Sequence, residues 1–456
     1  MAASGNNTKF FELRKKYPFF IYEDFIYNVD DTGLHIVYHF NLADKFKFSP
    51  KISFLPNKAV NIQNIPVPLL ENLIFHIGMI EMISYWKAAC PPKIMVKPFY
   101  LEARQLQWWK NLYYKGMGEF FYLNGITTDA ESFVRIESSQ NRKLTKTDII
   151  TEPAYLVPVG GGKDSAITLE ILKKENSVTP FVINPRKAID DCIATAGFSS
   201  NESVTVLRSI HPQLLQLNKL GFLNGHTPFS ALLAFVSLLA SALSGKKNIA
   251  LSNESSANES TVKGSFVNHQ YSKTFSFERD FRSYVNEYIT GSINYFSFLR
   301  PLHEIQIASV FSSMPKYFPG FKSCNAGSKK DEWCCNCPKC LFTYIILSPF
   351  LDEGELKKIF GENLLDKAFM EYYLNQLTGN EPVKPFECVG TIEEVNVALI
   401  MTMKKYSGKL PLLLQDYKES HAYFRYKDVA AETLIKKLGN EHFLSPAELE
   451  ILKKYV

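Results

Sequence analysis

Between residues 154 and 174 the chain reads AYLVPVGGGKDSAITLEILKK, and no other stretch limits so tightly what it can fold into. Ala154–Val159 is a short apolar run of strand character, and Ser165–Lys174 places Ile167 and Ile171 one turn apart, as a helix with one buried side does. Between them lies Gly160-Gly161-Gly162-Lys163-Asp164-Ser165. Three successive glycines let the backbone take positive φ and turn its N–H groups toward one point. The helix that follows adds its unpaired first-turn donors and its positive dipole end. An oligophosphate fits such a cradle. The spacing is neither that of GxxxxGK[ST] nor that of the GxGxxG dinucleotide turn.

Strand and helix alternate from here to about residue 310. Thr179–Ile183, Val204–Leu207 and Asn248–Leu251 read as strands, and Phe229–Leu243 and Phe275–Tyr288 as helices. This predicts an α/β fold with a doubly wound, mainly parallel sheet and right-handed crossovers. In such sheets ligands meet the chain beyond the carboxyl ends of strands. Asn184 and Arg186 sit at one such end, where they read equally as adenosine or phosphate contacts and as a solvated turn. Glu254 and Glu259 follow another, within Ser252–Glu259, and magnesium there competes with a plain solvated loop. His226 precedes an apolar helix, with Thr227 expected as its N-cap and Pro228 as its first residue.

The eight cysteines separate this chain from disulfide-built proteins. Five fall within residues 324–340, and Cys334, Cys337 and Cys340 stand at C-x2-C-x2-C spacing behind Cys324. Four thiolates so placed suit a tetrahedral structural zinc with no open position for water, with an iron–sulfur group or reduced core cysteines as alternatives and Cys335 as the spare. The clustering points to a reducing, cytoplasmic compartment. Met1–Lys9 lacks the pattern of a signal peptide, and the longest apolar stretch, read as Ala231–Leu243, is too short to span a bilayer. No membrane partner is expected. A net charge of +5 is dispersed among 46 acidic residues, which argues against a nucleic-acid platform.

Residues 1–150 have their own character, rich in Phe, Tyr and Ile. Phe19–Tyr27, Gly33–Phe40 and Lys51–Leu55 predict a small antiparallel sheet, and Leu69–Lys87 and Leu101–Tyr114 predict helices. Trp108-Trp109 and Tyr113-Tyr114 read as core. The expected organisation is an α+β domain over 1–150, a phosphate-binding domain over 151–345 ending in the cysteine knuckle, and a helical region over 346–456 that contains Glu387 and Cys388.

Strand, SGGxDS, then helix is the signature of the PP-loop ATP pyrophosphatases, which have a HUP-like fold. GGGKDS resembles it, with Gly160 where that family usually has Ser. The resemblance implies attack of a substrate oxygen on the α-phosphorus of ATP, an acyl- or imidoyl-adenylate, and release of pyrophosphate. A PP-loop with a late four-cysteine site is also similar to 7-cyano-7-deazaguanine synthase, which keeps a nucleobase- or tRNA-modifying ligase as the alternative. A resemblance covering most of the chain is carried by VPVGGGKDS, NGHTP, SNESSANES, VNHQYSK, SCN followed by WCCNCPKCLF, and FECVGT. Together these are similar to the bacterial UDP-N-acetylmuramoyl-L-alanyl-L-glutamate epimerase family.

That resemblance implies a UDP-linked muramoyl dipeptide substrate in peptidoglycan precursor synthesis, with ATP, Mg2+ and a structural Zn2+, and AMP and pyrophosphate as products. Gly160, Gly161, Gly162, Lys163, Asp164 and Ser165 would hold ATP, Asp164 ordering the loop or its magnesium. A base must take the glutamate α-proton. His226, His269 and His303 are the leading residues, because histidine titrates near neutrality; Lys163, Lys273 and Cys388 stand behind them, with Lys163 read chiefly as a phosphate clamp.

Overall fold

The computed structural model describes residues 6–456; the first five, part of the Met1–Lys9 stretch considered above, lie outside it. Eleven strands form one sheet: β1 Phe19–Asp30, β2 Gly33–Leu42, β3 Phe46–Phe48, β4 Lys51–Phe54, β5 Lys93–Val96, β6 Arg135–Ser138, β7 Glu152–Pro158, β8 Val178–Ile183, β9 Val204–Ser209, β10 Lys246–Leu251 and β11 Asn294–Ser297. Their order is β11-β10-β7-β8-β9-β4-β2-β1-β5-β6, with β3 on β2. The pairings from β11 to β9 are parallel, those through β4, β2 and β1 antiparallel, and β5 and β6 return to parallel. The sheet is therefore mostly parallel, as the alternating pattern predicts.

The parallel strands are short apolar runs because helices cover both their faces. Residues 154–158 of β7 are all buried. The antiparallel strands expected before residue 55 are present, and β4 pairs with β9 (Ile52 opposite Arg208, Phe54 opposite Val206), so sheet and core both cross residue 150. One apolar cluster lies under the N-terminal helices and the helices Phe229–Ser244 and Phe275–Tyr288. The other lies under the helix Lys163–Leu172 and the C-terminal helices. Beyond residue 338 the described elements are all helical.

Two expectations change. The helical stretch Val67–Trp86 is long and apolar enough to cross a membrane, so Ala231–Leu243 is not the longest apolar segment; it is mostly buried and packs as a core helix. Thr227 does not cap the next helix. Pro228, at ψ 74°, lies outside it, and the Phe229 N–H donates to the Thr227 carbonyl at 2.7 Å. Trp109 and Tyr113 are fully buried, in keeping with their reading as core.

A polar network holds this core together. The Tyr284 hydroxyl accepts from Trp109 Nε1 (3.0 Å) and Gln105 Nε2 (3.2 Å) and meets His76 Nε2 at 2.9 Å. His76 Nδ1 lies 2.8 Å from the Asn72 carbonyl. One arrangement satisfies every group: neutral His76 donates through Nδ1 and accepts from Tyr284 through Nε2. Burial pushes its pKa down to about 4.

Candidate active site

The strand order reverses between β7 and β10, the switch point at which open α/β sheets leave a crevice. A cleft of ≈ 270 Å³ occupies it, lined by Gly160, Gly162, Asp164 and Ser165 after β7 and by Ser252, Asn253 and Glu254 after β10. Gly162 is the N-cap of the helix Lys163–Leu172 and has no side chain to take the first-turn N–H groups, which are left for a ligand. Gly161 has φ +80°, and a Cβ there would lie 3.0 Å from the Ala188 carbonyl and the Ile189 nitrogen. A Cβ on Gly160 would meet nothing within 4 Å. The Lys322 N–H donates to the Gly161 carbonyl at 2.9 Å, fastening the loop to the segment that leads into the cysteine cluster.

Four cations face this cleft: Arg186, Lys273, Lys322 and Lys339. Asn184 is not among its lining residues. It adopts φ +51° and clamps β8 to β9, accepting from the Arg208 N–H (2.8 Å) and donating to the Arg208 carbonyl (3.0 Å). Lys163 also differs from the phosphate clamp expected of it. Its side chain is 4% exposed and pairs with Asp164 and Glu304. Those two charges outweigh burial and hold the Lys163 ammonium protonated, whereas burial pushes Glu304 upward.

Asp164, Glu254 and Glu304 bring one oxygen each within 4.8 Å of one another. Three carboxylates beside a glycine loop at a helix N-terminus are hard donors of the kind magnesium takes, and Lys163 offsets the repulsion between two of them. A buried pair fixes the backbone around them. Arg300 binds Glu278 at 2.9 Å and donates to the Glu254 carbonyl (2.6 Å) and the Lys273 carbonyl (2.5 Å).

Cys324, Cys334, Cys337 and Cys340 converge as expected, with Sγ–Sγ separations of 3.9, 3.7 and 3.5 Å along the pairs 324–337, 334–340 and 337–340. A tetrahedron with Zn–S of about 2.3 Å has edges of about 3.8 Å, so the four thiols fit that ion. Cys335 stands apart and donates to the Phe360 carbonyl.

The three histidines separate. His303 caps the helix Glu304–Ser312, lies 3.2 Å from Ser255 Oγ and faces a different cavity of ≈ 700 Å³. His226 and His269 share Glu119: Nδ1 of His269 lies 2.5 Å from Glu119 Oε2 and Nδ1 of His226 3.3 Å from the same oxygen. Neither imidazole lines the cleft, but Cys388 and Lys273 do, with Lys273 Nζ 3.1 Å from Cys388 Sγ. Glu387 accepts from Asn325 and is not among the cleft's lining residues. Glu119, Lys322 and Lys339 carry no sequence signal for these positions, since each comes from a stretch remote from the loop.

The family model described as the MurL N-terminal domain matches residues 12–298, and that of the MurL C-terminal domain matches residues 320–428. The chain is 32% identical over 379 residues to the UDP-N-acetyl-alpha-D-muramoyl-L-alanyl-L-glutamate epimerase of Xanthomonas oryzae pv. oryzae, covering 81% of this chain and 83% of that protein. It is 33% identical over 341 residues to the protein of the same name from Salinispora tropica, covering 73% of each. The one from Micromonospora sp. is 32% identical over 356 residues, 76% of this chain and 78% of the relative. No solved structure matches the chain.

Proposed function

Because this chain belongs to the MurL family, we propose that it inverts the terminal L-glutamate of UDP-MurNAc-L-Ala-L-Glu, the compound its relatives are named for, and that it does so by way of an acyl-adenylate. The observation that carries this reading is that one cleft combines a glycine cradle at a helix N-terminus, four cations and three carboxylates. We read the cradle as a PP-loop, with Gly160, Gly162, Ser165 and the four cations taking the phosphates of ATP.

The chemistry explains the need for ATP. Removing a proton beside a carboxylate would place a second negative charge next to the first. A carboxylate oxygen that attacks the α-phosphorus expels pyrophosphate and becomes part of a mixed anhydride, whose carbonyl accepts the electron pair left by the α-proton. Reprotonation on the other face inverts the centre, and water then releases AMP. Asp164, Glu254 and Glu304 would hold a magnesium ion, which when bound offsets phosphate charge. The four cysteines would hold a zinc ion with a structural role, anchoring the segment that touches the loop through Lys322. Peptidoglycan precursor synthesis in the cytoplasm is the setting that this substrate implies.

The test is incubation with ATP, magnesium and UDP-MurNAc-L-Ala-L-Glu in deuterium oxide. Production of AMP, pyrophosphate and D-glutamate carrying deuterium at the α-carbon is expected. Untouched ATP with no deuterium uptake would reject the reading. Asp164→Ala should abolish substrate-dependent pyrophosphate release in a folded protein, and a soluble, active Asp164→Ala would reject the assignment of the ATP site.

A further inference from the structure

In the lining of the same cleft stands a thiol that adenylation leaves unused. Cys388, from the irregular segment before the helix Ile392–Met403, lines the cleft together with Lys273, whose Nζ lies 3.1 Å from its Sγ. His269 lies close enough to the same thiol to act on its charge and is itself held by Glu119 on the helix Gly118–Leu123. Three separate stretches of chain thus assemble a thiol, an ammonium, an imidazole and a carboxylate. A sulfur within reach of an imidazole that a third group orients is the arrangement of an activated thiol.

We propose that Cys388 is the catalytic residue that removes the glutamate α-proton, with Lys273 and His269 keeping its sulfur as thiolate and Glu119 positioning His269. The proposal rests on the adenylation reading above. In the step, the Cα–H bond breaks, its proton passes to Cys388 Sγ and its electron pair moves onto the acyl carbonyl oxygen. Water protonates the opposite face of the resulting enolate. The hydroxide so formed takes the proton from the Cys388 thiol, and nothing is oxidised or consumed.

The surroundings of each group support this assignment over the histidines. Burial raises the Cys388 thiol, but Lys273, the neighbouring His269 and Lys339 outweigh it and bring it down to about 5. In return, Cys388 and Glu119 outweigh burial at His269 and raise it to about 9. At neutral pH the sulfur is therefore ready to accept a proton, whereas His269 already carries one. His226 stands behind Glu119, pushed down to about 4 by burial, and His303 faces the other cavity.

Full-length Cys388→Ala and Cys388→Ser are compared with the unmodified protein for first-turnover pyrophosphate release and for deuterium uptake at the α-carbon. Deuterium uptake should fall by about 100-fold or more while pyrophosphate release stays within about threefold. Uptake at the original rate in either folded variant would overturn the proposal. So would loss of pyrophosphate release along with uptake, or a glutamyl–Cys388 adduct in acid-quenched protein, which would make the sulfur a nucleophile instead. If the unmodified protein releases no pyrophosphate, it is the adenylation reading that fails, and the two failures are told apart.

Glu119→Gln supplies a second readout. The charged groups facing Cys388 are Lys273, His269, Lys339 and Glu387, with Glu254 beyond Lys273. Weakening the His269 imidazolium destabilises the thiolate, so the acidic limb of the uptake–pH profile should move to higher pH. A lower rate with that limb unmoved would show that Glu119 has a purely structural role and would overturn its part in the proposal.

Discussion

Gly161→Ala and Gly160→Ala change the same loop by the same methyl group, and the structure gives them opposite outcomes. At Gly161 the backbone has φ +80°, and the new Cβ would lie 3.0 Å from three backbone atoms of Ala188 and Ile189. The left-handed conformation costs an alanine about 1–2 kcal/mol, and forcing a methyl into close-packed backbone costs about 1–3 kcal/mol more. The sum, about 2–5 kcal/mol, is relieved only if the loop shifts away from the helix Lys187–Thr195, which moves the N–H groups proposed to cradle phosphate. Each 1.36 kcal/mol is tenfold, so kcat/KM for ATP should fall by about 30-fold at the least. At Gly160 neither φ nor space opposes a side chain. Gly160→Ala should change kcat/KM by less than about threefold, and Gly160→Ser adds a hydroxyl where the loop can present it to phosphate. Steady-state pyrophosphate release at varied ATP, with circular dichroism as the check on folding, gives the comparison. Equal losses at the two positions, or none at Gly161, would refute the geometry assigned to the loop.

Other consequences follow from the packing around the site. Cys337→Ser should lose the proposed zinc, measured as metal per chain, and raise the KM for ATP through the Lys322–Gly161 contact; unchanged metal content would remove the knuckle from the account. Tyr284→Phe leaves His76 Nε2, Gln105 Nε2 and Trp109 Nε1 each without a partner. At about 1–3 kcal/mol apiece this should destabilise the fold by at least about 3 kcal/mol in denaturant titrations, and a loss under about 1 kcal/mol would contradict the network. His76 also predicts a pH dependence. Its pKa of about 4 in the fold lies below the ordinary 6.5, so the unfolded chain takes up the proton first as pH falls. The stability it contributes is complete above pH 6.5 and is lost between there and about pH 4, to the extent of about 3 kcal/mol. His76→Gln should flatten the stability–pH curve across that interval, and an unchanged slope would argue against a neutral, buried imidazole.

What could be read from the sequence was what lies close together along the chain. Strand β7, the glycine loop and its helix are contiguous, so one stretch announces the cradle. Cys334, Cys337 and Cys340 sit within seven residues and need only Cys324 to close a tetrahedron. The rest of the cleft is assembled from a distance. Lys322 precedes the cysteines and Lys339 lies among them, where metal-ligand spacing draws the eye, and Glu119 lies on a six-residue helix 150 residues from His269. Asn184, after a strand, reads equally as a ligand contact and as a turn residue; a positive φ and two hydrogen bonds to Arg208 make it a clamp. Strands β5, β6 and β11 have four residues each, too few for alternation to show, and take their identity from the neighbours they pair with. Lys163 was read as a phosphate clamp from its place in the loop, but Glu304, 141 residues later, takes its charge.

The central claim is that the substrate carboxylate becomes bonded to the α-phosphorus of ATP. It is tested most directly by giving the enzyme UDP-MurNAc-L-Ala-L-Glu with oxygen-18 in the glutamate α-carboxylate and weighing the AMP it produces. The account predicts one oxygen-18 atom in each AMP formed, because water opens the anhydride at carbon and leaves the carboxylate oxygen on phosphorus. AMP without the label, formed while glutamate is inverted, would mean that ATP is cleaved without activating the substrate and would contradict it.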